Sequence, residues 1–417
     1  VLAFGLDNDP ESRFHVTLVD PKNFFEDVTH QPMTMVSPGA SADDPEGKFF
    51  KTTAPFNKVV PNGKHIAGIV MSISTNHVEV GPERTVVPFD YCVIATGSSY
   101  ASDIKVVNPT AEYRYRQMKS EKAVMENSET VLVIGGGLVG CEVAANVAEK
   151  LSRRVVLIQK GPNLLPRSKN AHDMVKPYLE SLGVEVHVDE EVVEFDDMLR
   201  AYTTNKGNVF TAGKVYTCTG SKPNTAAFKD SMSHPMVKNA LDGKGYVRVD
   251  NHCRLHGVPN VFAVGDILED RMFTCTEHAV DGRKCAERIG ATAMLHSAAV
   301  YHNIVRSLTG EPLVSLDQTK FPFNQCTLTD LGEKNGLVVI HPMLNSVYKS
   351  QGFDFGADEE QVEKFGCSMS ATTRGFKEFA AGMFVAGVTS AEGWQFLMGM
   401  EYGNPAYVDP LKPPEEE

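Results

Sequence analysis

The run GGGLVG at residues 135–140 constrains this chain more than any other feature of its sequence. It has the form G-x-G-x-x-G, follows the apolar run TVLVI at residues 130–134 and precedes a stretch with helical periodicity. A strand, a glycine turn and a helix in this order hold a dinucleotide pyrophosphate at the helix N-terminus. Gly135 permits the tight turn, Gly137 lets the backbone approach the pyrophosphate, and Gly140 lets the helix pack closely on the strand. The sequence therefore predicts a nucleotide-binding site here.

The next predicted strand, residues 154–159, bears on which nicotinamide nucleotide binds. It ends in Gln159 and Lys160, about 20 residues after the glycine run, where a site selective for NADH usually has a carboxylate on the ribose 2′-hydroxyl. No carboxylate at this point repels a 2′-phosphate, and Lys160 has the charge to pair with one. The alternative is that Lys160 is an exposed lysine without a role. The sequence leaves both NADH and NADPH as candidates.

A second nucleotide-binding unit is indicated near the N-terminus. Residues 14–20, FHVTLVD, are typical of a short strand, and Asp20 stands at its end like the acidic ribose partner of a βαβ unit. No G-x-G-x-x-G precedes it. Either Asp20 is an ordinary strand-terminating aspartate, or the first strand and glycine loop of this unit lie upstream of Val1, which we expect. An alternating pattern over residues 60–88 then predicts a β-meander.

Two kinds of strand ending support a flavin enzyme. IATGS at residues 94–98 is echoed by TCTGS at residues 217–221, and NVFAVGD occupies residues 260–266. A Thr-Gly pair at the end of a buried strand turns the chain beside a nucleotide, and the final Gly-Asp places a carboxylate near ribityl or phosphate oxygens. Each segment alone also fits a strand followed by an ordinary turn. Their order along one chain favours two dinucleotide-binding units.

The predicted organisation is an α/β fold with two Rossmann-like dinucleotide-binding domains and a smaller C-terminal α+β domain. Residues 1–110 and 245–311 form the first, FAD-binding domain, and residues 111–244 form the inserted NAD(P)H-binding domain. Residues 312–417 differ in pattern and composition from the rest of the chain, because they are strand-like and rich in Gly, Phe and Met. They are expected to form the third domain.

Composition and charge exclude several classes of protein. With 40 Lys and Arg against 53 Asp and Glu, the formal net charge is −13, and no basic run is longer than two residues, so a nucleic-acid partner is not expected. The eight cysteines stand singly, without C-x-x-C or metal-ligand spacing, which indicates reduced thiols in a reducing intracellular compartment, cytoplasmic or organellar, and no metal site. Apolar stretches such as residues 131–141 are too short to span a bilayer, so we expect a soluble or peripheral protein.

Taken together, the motifs resemble those of the flavoproteins with two dinucleotide-binding domains, which are related to glutathione reductase in fold. The resemblance is strongest to the ferroptosis-suppressor-like branch of the apoptosis-inducing-factor family. It spans about residues 12–340 and is carried by VDPKNFFEDVTHQP at 19–32, FDYCVIATGSS at 89–99, VLVIGGGLVGCEVA at 131–144, VPNVFAVGD at 258–266 and LTDLGEKNGLVV at 328–339. It implies FAD-dependent oxidation of NAD(P)H with a quinone as electron acceptor.

The resemblance also implies roles for individual residues. FAD is then held by Asp20 at the adenosine ribose, by Ala95, Thr96 and Gly97 along the flavin nucleotide, and by Gly265 and Asp266 at the ribityl or pyrophosphate region. NAD(P)H is held by Gly135, Gly137, Gly140, Gln159, Lys160 and Gly220. Glu142 falls beside the nicotinamide and is the candidate catalytic residue; the alternative is a solvated first-turn glutamate stabilised by the helix dipole. A helix opening near Thr276 points its N-terminus at the flavin.

The absence of a C-x₄-C pair separates this chain from the disulfide reductases of the same fold. Without two thiols to relay electrons, the flavin has to pass them directly to a small acceptor, and the resemblance implies a quinone. Three alternatives remain open: a redox-responsive binding protein like apoptosis-inducing factor, a type II NADH dehydrogenase, and an inactive truncated chain.

Residues 376–400 gather Phe, Met and the only Trp of the chain. One interpretation is an apolar surface at a quinone entrance or at a peripheral membrane contact. The other is packing in the core or in a homodimer, which is the more ordinary use of such a segment.

Overall fold

The computed structural model describes residues 1–39, 44, 47–166, 169–273, 290–316, 326–340, 349, 350, 352, 354, 355, 366–402 and 407–411. The helix predicted over residues 276–289 lies outside the described residues. None of the described helices combines the length and the apolar character that crossing a bilayer requires.

The described part of the chain contains both helices and strands. The helices are α1 Leu2–Asp7, α2 Gln31–Val36, α3 Phe56–Val59, α4 Ala111–Asn127, α5 Leu138–Leu151, α6 Lys169–Ser181, α7 Ala226–Lys229, α8 Pro235–Lys238, α9 Gly290–Thr309, α10 Ala371–Ala386 and α11 Ala391–Tyr402. Short 3₁₀ turns cover Val28–His30, Phe49–Lys51, Gly265–Ile267 and Asp270–Phe273.

The strands of the first half are β1 Thr17–Asp20, β2 Phe24–Glu26, β3 Thr53–Pro55, β4 Lys64–Ala67, β5 Val70–Ile73, β6 His77–Val80, β7 Thr85–Pro88, β8 Cys92–Ile94, β9 Ser98–Tyr100, β10 Thr130–Ile134, β11 Arg154–Ile158 and β12 Val184–His187. They continue as β13 Val192–Asp196, β14 Ala201–Thr204, β15 Val209–Thr211, β16 Lys214–Thr217, β17 Ser221–Pro223, β18 Arg254–Leu255, β19 Val258–Ala263, β20 Ser315–Leu316, β21 Cys326–Asp330, β22 Gly336–Ile340, β23 Gly366–Ser370 and β24 Tyr407–Val408.

Strands β12, β11, β10 and β16 form a four-stranded parallel sheet in that order. The side chains of Val131, Leu132 and Val133 in β10 are fully buried, as expected for a parallel strand that is covered on both faces. Helix α5 packs on β10 and β11 and connects them. The strand, glycine turn and helix occur at the predicted residues, and the Rossmann-like α/β fold is confirmed.

A second set of parallel pairs carries the other motifs. Strand β8 pairs in parallel with β19, with Ile94 opposite Ala263, so the Thr-Gly and Gly-Asp strand endings lie side by side. The predicted meander is only partly right. Strands β5, β6 and β7 are antiparallel neighbours, but β4 pairs in parallel with β1. Alternation in the sequence reports which face of a strand is buried and does not select its partner.

The C-terminal residues form an antiparallel sheet of β21, β22 and β23, with α10 packed on it. The strand-like interpretation of this region is wrong for α10 and α11. Ser370 caps α10 by accepting a hydrogen bond of 3.1 Å from the Thr373 N–H. Leu331, Leu337 and Cys367 share one hydrophobic cluster with α5, so this sheet packs against the helix that follows the glycine loop. The boundaries of the three predicted domains stay predictions.

Candidate functional site

The glycine loop between β10 and α5 is tight at Gly135, Gly136 and Gly140 and open at Gly137. Gly135 adopts a φ of +108°, and a Cβ there would lie 2.6 Å from the carbonyl oxygen of Cys218. A Cβ on Gly140 would overlap the carbonyl oxygen of Gly135. Gly137 is the N-cap of α5 and has no heavy atom within 4 Å of a Cβ position. The N-terminus of this 14-residue helix therefore leaves room for a phosphate.

Gln159 and Lys160 lie at the carboxyl end of β11, beside this loop. The Gly136 N–H donates a hydrogen bond of 2.8 Å to Gln159 Oε1, so Gln159 holds the loop in place. Lys160 is 75% exposed and pairs with Glu191 at 2.9 Å. Exposed pairs of this kind are weak, so Glu191 is a minor competitor for any phosphate that Lys160 meets. The choice between NADH and NADPH stays open.

The two recurring Thr-Gly-Ser segments meet in space. Strand β9 pairs antiparallel with β17 directly after each Thr-Gly turn. Thr96 Oγ1 donates to the Asn224 carbonyl oxygen and Asn224 Nδ2 donates to the Thr96 carbonyl oxygen, both at 2.8 Å. Gly97 and Gly220 have φ values of +64° and +115°, and both have no heavy atom within 4 Å of a Cβ position. The two nucleotide-binding units are thus joined at glycines that leave open space.

Asp20 and Ala95 lie at the carboxyl ends of β1 and β8, two strands of the predicted FAD-binding domain. Asp20 Oδ1 accepts a hydrogen bond of 2.8 Å from the Lys22 N–H. Burial raises the pKa of the Asp20 carboxyl, and this effect exceeds the opposing influence of Lys22 and His65. Ala95 is exposed at the end of β8. A carboxylate accepts up to about four hydrogen bonds, so the backbone contact leaves Asp20 with capacity for a ribose hydroxyl.

Asp266, in the 3₁₀ turn after β19, is held in a cluster with Ser98 and Lys105. Its Oδ2 accepts hydrogen bonds from Ser98 Oγ at 2.7 Å and from Lys105 Nζ at 3.0 Å, and Lys105 also donates to Ser98 Oγ at 3.0 Å. Gly265, directly before Asp266, adopts a φ of +76°. The parallel pairing of β8 with β19 brings the cluster together. Sequence reasoning did not single out Ser98 and Lys105 as members of this cluster, although Ser98 directly follows the Thr-Gly pair.

Glu142 is buried in α5, in the turn that follows Gly140. Its Oε1 accepts a hydrogen bond of 2.9 Å from the Asp330 N–H and forms an ion pair with Lys377 Nζ. Burial raises the pKa of the Glu142 carboxyl, and the charge of Lys377 opposes this shift. The alternative of a solvated glutamate is therefore wrong, because the C-terminal sheet covers this face of α5.

Arg374, Asp330 and Lys377 extend this charged cluster, and sequence reasoning missed all three. Arg374 Nε donates a hydrogen bond of 2.8 Å to the Gly332 carbonyl oxygen and lies 3.2 Å from Asp330 Oδ1. Its Nη2 donates to Glu378 Oε1 at 3.0 Å. Buried charges persist only when they are paired, so the cluster holds α10 against β21 and α5. One signal was available, since Arg374, Lys377 and Glu378 are charged residues directly before the apolar run at residues 379–386.

The carboxyl ends of the two sets of strands fit two dinucleotides. Gly137 and Gly220 leave open space where the pyrophosphate of NAD(P)H would meet α5. Gly97 leaves open space near Asp266, and Asp20 adds a second carboxylate, which suits the hydroxyl groups of FAD. Within the described residues, no group of His, Cys, Asp and Glu is arranged to hold a metal ion. The individual cofactor contacts stay predictions.

Comparison with known proteins identifies the family. The sequence model of the pyridine nucleotide-disulphide oxidoreductase family matches residues 13–286, which is more than half of the chain. Apoptosis-inducing factor homolog A of Dictyostelium discoideum is 25% identical over 365 residues, covering 80% of this chain and 81% of that protein. Ferroptosis suppressor protein 1 of Taeniopygia guttata is 26% identical over 266 residues, covering 60% of this chain and 64% of that protein.

The fold is also similar to that of a sulfide:quinone oxidoreductase from the hyperthermophilic bacterium Aquifex aeolicus. The TM-score is 0.66 at 16% identity, covering 94% of this chain and 89% of that one, and at this identity the likeness concerns the fold alone. The resemblance to the apoptosis-inducing-factor family is confirmed by the relatives, and the cofactors of such enzymes are FAD and NAD(P)H. The chain belongs to the pyridine nucleotide-disulphide oxidoreductase family and is a flavin-dependent NAD(P)H oxidoreductase.

Proposed function

We propose that this chain oxidises NAD(P)H and delivers the electrons to a quinone. FAD, when bound, accepts a hydride from the reduced nicotinamide and passes electrons on. Cys92 and Cys218 form no disulfide, and burial raises the pKa values of their thiols to about 12, so neither is a thiolate near neutral pH. This supports direct transfer to an external acceptor without a relay of thiols.

A series of aromatic rings in the C-terminal region is the observation that carries the choice of acceptor. Ring centroids are 5.1 Å apart for Phe355 and Phe376, 6.1 Å for Phe376 and Phe379, and 6.4 Å for Phe379 and Phe396. Phe355 is buried, whereas Phe379 is 45% exposed and Phe396 is 42% exposed. Exposed rings of this kind suit a flat apolar ligand such as a quinone.

The series and the charged cluster share α10, in which Phe376 directly precedes Lys377. The other predicted use of this segment also receives support, since Leu397 and Met398 of α11 are buried in packing. The inner face of α11 thus packs, and the outer face carries Phe396.

Acceptor kinetics of matched surface variants test the proposal. Phe379→Ala and Phe396→Ala remove exposed rings of the series, while Phe195→Ala removes a ring of β13 that is 48% exposed. We expect the KM for a short-chain quinone to rise about fivefold in the first two variants only, a loss near 1 kcal/mol. Oxidation of NAD(P)H with ferricyanide serves as the control and should not change. Equal quinone kinetics in all three variants would refute the quinone site.

The same assay separates the alternatives. Reduction of the bound flavin by NAD(P)H without turnover on any acceptor would favour the redox-responsive binding protein. Strong preference for NADH together with retention on lipid vesicles would favour a type II NADH dehydrogenase. Lys160→Gln should weaken the binding of NADPH by several fold and leave that of NADH unchanged if Lys160 meets the 2′-phosphate.

A further inference from the structure

A buried histidine joins the N-terminal part of the chain to α10, next to the Glu142–Lys377 pair. His30 is 2% exposed, and its Nε2 lies 2.8 Å from the backbone carbonyl oxygen of Lys377. Its Nδ1 lies 2.8 Å from Oδ2 of Asp27, which is also buried. The histidine therefore connects a carboxylate on one side to the backbone of a candidate site residue on the other.

Both ring nitrogens of His30 have buried hydrogen-bond partners. The carbonyl oxygen of Lys377 only accepts, so Nε2 carries a proton and donates it to this carbonyl. At Nδ1 the neighbours are Asp27 Oδ2 and Thr29 Oγ1, the latter at 2.9 Å. The Thr29 hydroxyl also donates to Asp27 Oδ1 at 2.7 Å. The ring of His30 is therefore fixed on one side by Asp27 and Thr29 and on the other by the backbone of Lys377.

We propose that His30 is a positioning residue for the Glu142–Lys377 ion pair. Its ring, held by Asp27 and Thr29, anchors α10 through the carbonyl of Lys377 and so determines where the ammonium group of that lysine meets Glu142. A lysine head group sits on a flexible four-carbon stem, so its position depends on how firmly its backbone is held. The inference rests on the proposed function and on the resemblance, which places Glu142 beside the nicotinamide.

A second contact between the same parts of the chain is weaker and offers a control. Lys48 Nζ pairs with Glu378 Oε1 at 2.9 Å, one residue beyond Lys377. Glu378 is 42% exposed in this pair, and exposed pairs contribute little. Of these two contacts, the buried one from His30 is therefore expected to hold α10 more firmly.

The test compares two double variants in the full chain loaded with FAD. Asp27→Asn/His30→Gln keeps a neutral N–H donor for the Lys377 carbonyl, whereas Asp27→Asn/His30→Leu has none. Both lack the Asp27 carboxylate and the His30 ring, so neither leaves a buried ion without its partner. Lys48→Gln is the surface control. The measurement is the rate at which an amine-acylating reagent labels Lys377, relative to Lys214 of β16, which is paired with Glu121 away from α10.

We expect the leucine variant to label Lys377 about tenfold faster than the wild type relative to Lys214, because labelling follows local opening. The glutamine variant should stay within about threefold of the wild type, and Lys48→Gln should not change the ratio. Equal ratios in the glutamine and leucine variants would overturn the proposal. So would faster labelling of Lys214 and Lys377 together, which indicates only a looser fold.

Glu142→Gln separates this inference from the proposed function. If that variant reduces its flavin with NAD(P)H as fast as the wild type does, the ion pair has no part in the reaction and the proposed role of Glu142 fails. The labelling contrast still decides whether His30 positions Lys377. If the labelling contrast holds and Glu142→Gln reduces its flavin slowly, the roles of both His30 and Glu142 are supported. The leucine variant should then also reduce its flavin slowly.

Discussion

Glu142 and Lys377 lie 235 residues apart in the chain and form a buried ion pair. One belongs to the helix that follows the glycine loop, and the other belongs to the C-terminal helix α10. Because Glu142 also accepts the Asp330 N–H, three separate segments meet at one carboxylate. The nucleotide-binding helix and the C-terminal sheet are therefore coupled at the point where the resemblance places the nicotinamide.

The cost of breaking this pair should depend on which charges remain. Lys377→Met leaves the Glu142 carboxylate buried without its cation, and we expect the free energy of unfolding to fall by about 3–5 kcal/mol. Glu142→Gln/Lys377→Met removes both charges and should cost clearly less. Urea unfolding of the holoenzyme measures both values, with Lys122→Met, in an exposed pair with Glu126, as the control. Similar losses in the single and double variants would contradict a coupled buried pair.

The glycine loop offers a pair of substitutions with opposite effects. Gly140→Ala places a Cβ against the Gly135 carbonyl oxygen, so the loop must shift, and we expect the midpoint of thermal unfolding to fall by several degrees. Gly137→Ala meets no neighbour and has an ordinary φ of −78°, so stability should not change. Its methyl group instead enters the space of the pyrophosphate, and the Kd for NAD(P)H should rise at least about tenfold. Unchanged nucleotide binding in Gly137→Ala would exclude this loop as the site.

Arg114 is a buried hub whose loss should be costly. Its guanidinium donates to Glu26 Oε1 at 2.9 Å, to Gln31 Oε1 at 3.0 Å and to Gln117 Oε1 at 2.6 Å. Arg114→Met leaves Glu26 buried without this partner, and we expect a loss of about 3–5 kcal/mol in the free energy of unfolding.

Arg116, two residues further in α4, is the matched control for that substitution. It is 75% exposed and pairs with Glu112, which is 72% exposed. Arg116→Ala should change the free energy of unfolding by less than about 1 kcal/mol. Denaturant titration of both variants measures the two free energies of unfolding. A small loss in Arg114→Met would mean that water replaces the contacts of Arg114.

Glu142 should make stability fall as the pH rises. Burial raises the pKa of its carboxyl above the ordinary value of 4.5. The folded chain then binds more protons than the unfolded chain between 4.5 and the raised value, so the free energy of unfolding decreases across that interval. Glu142→Gln lacks this group, and its decrease over the same interval should be smaller. An identical slope in the variant would mean that Glu142 ionises normally in the fold.

Asp27 should act with the opposite sign at lower pH. Burial opposes its ionisation, but the hydrogen bonds and charge of His30 and the bonds from Thr29 outweigh it and lower the pKa of the Asp27 carboxyl. Its contribution to stability is complete above the ordinary value of 3.8 and is lost as the pH falls through the lowered value. Asp27→Asn should therefore lose less stability than the wild type on acidification, as measured by urea unfolding at several pH values.

The elements around the nucleotide sites could be predicted from the residues because their causes are local. A glycine run between an apolar strand and a helical stretch admits few backbone conformations, and Gly135 shows the positive φ that such a turn requires. Strand β10 could be predicted from its continuous apolar run, because a parallel strand that is buried on both faces is apolar throughout. Asp20 and Asp266 could be singled out as candidates because Asp20 ends β1 and Asp266 lies in the turn after β19.

Contacts between distant segments were decided only by the tertiary structure. Nothing near β4 in the sequence indicates that it pairs with β1, and nothing near Lys377 indicates Glu142 or His30 as its neighbours. A buried charge must find a partner, but the partner's position in the chain is set by how sheets and helices pack. The sequence by itself thus determined the kind of fold and predicted where two nucleotides bind, whereas packing determined which charges stand together at the candidate active site.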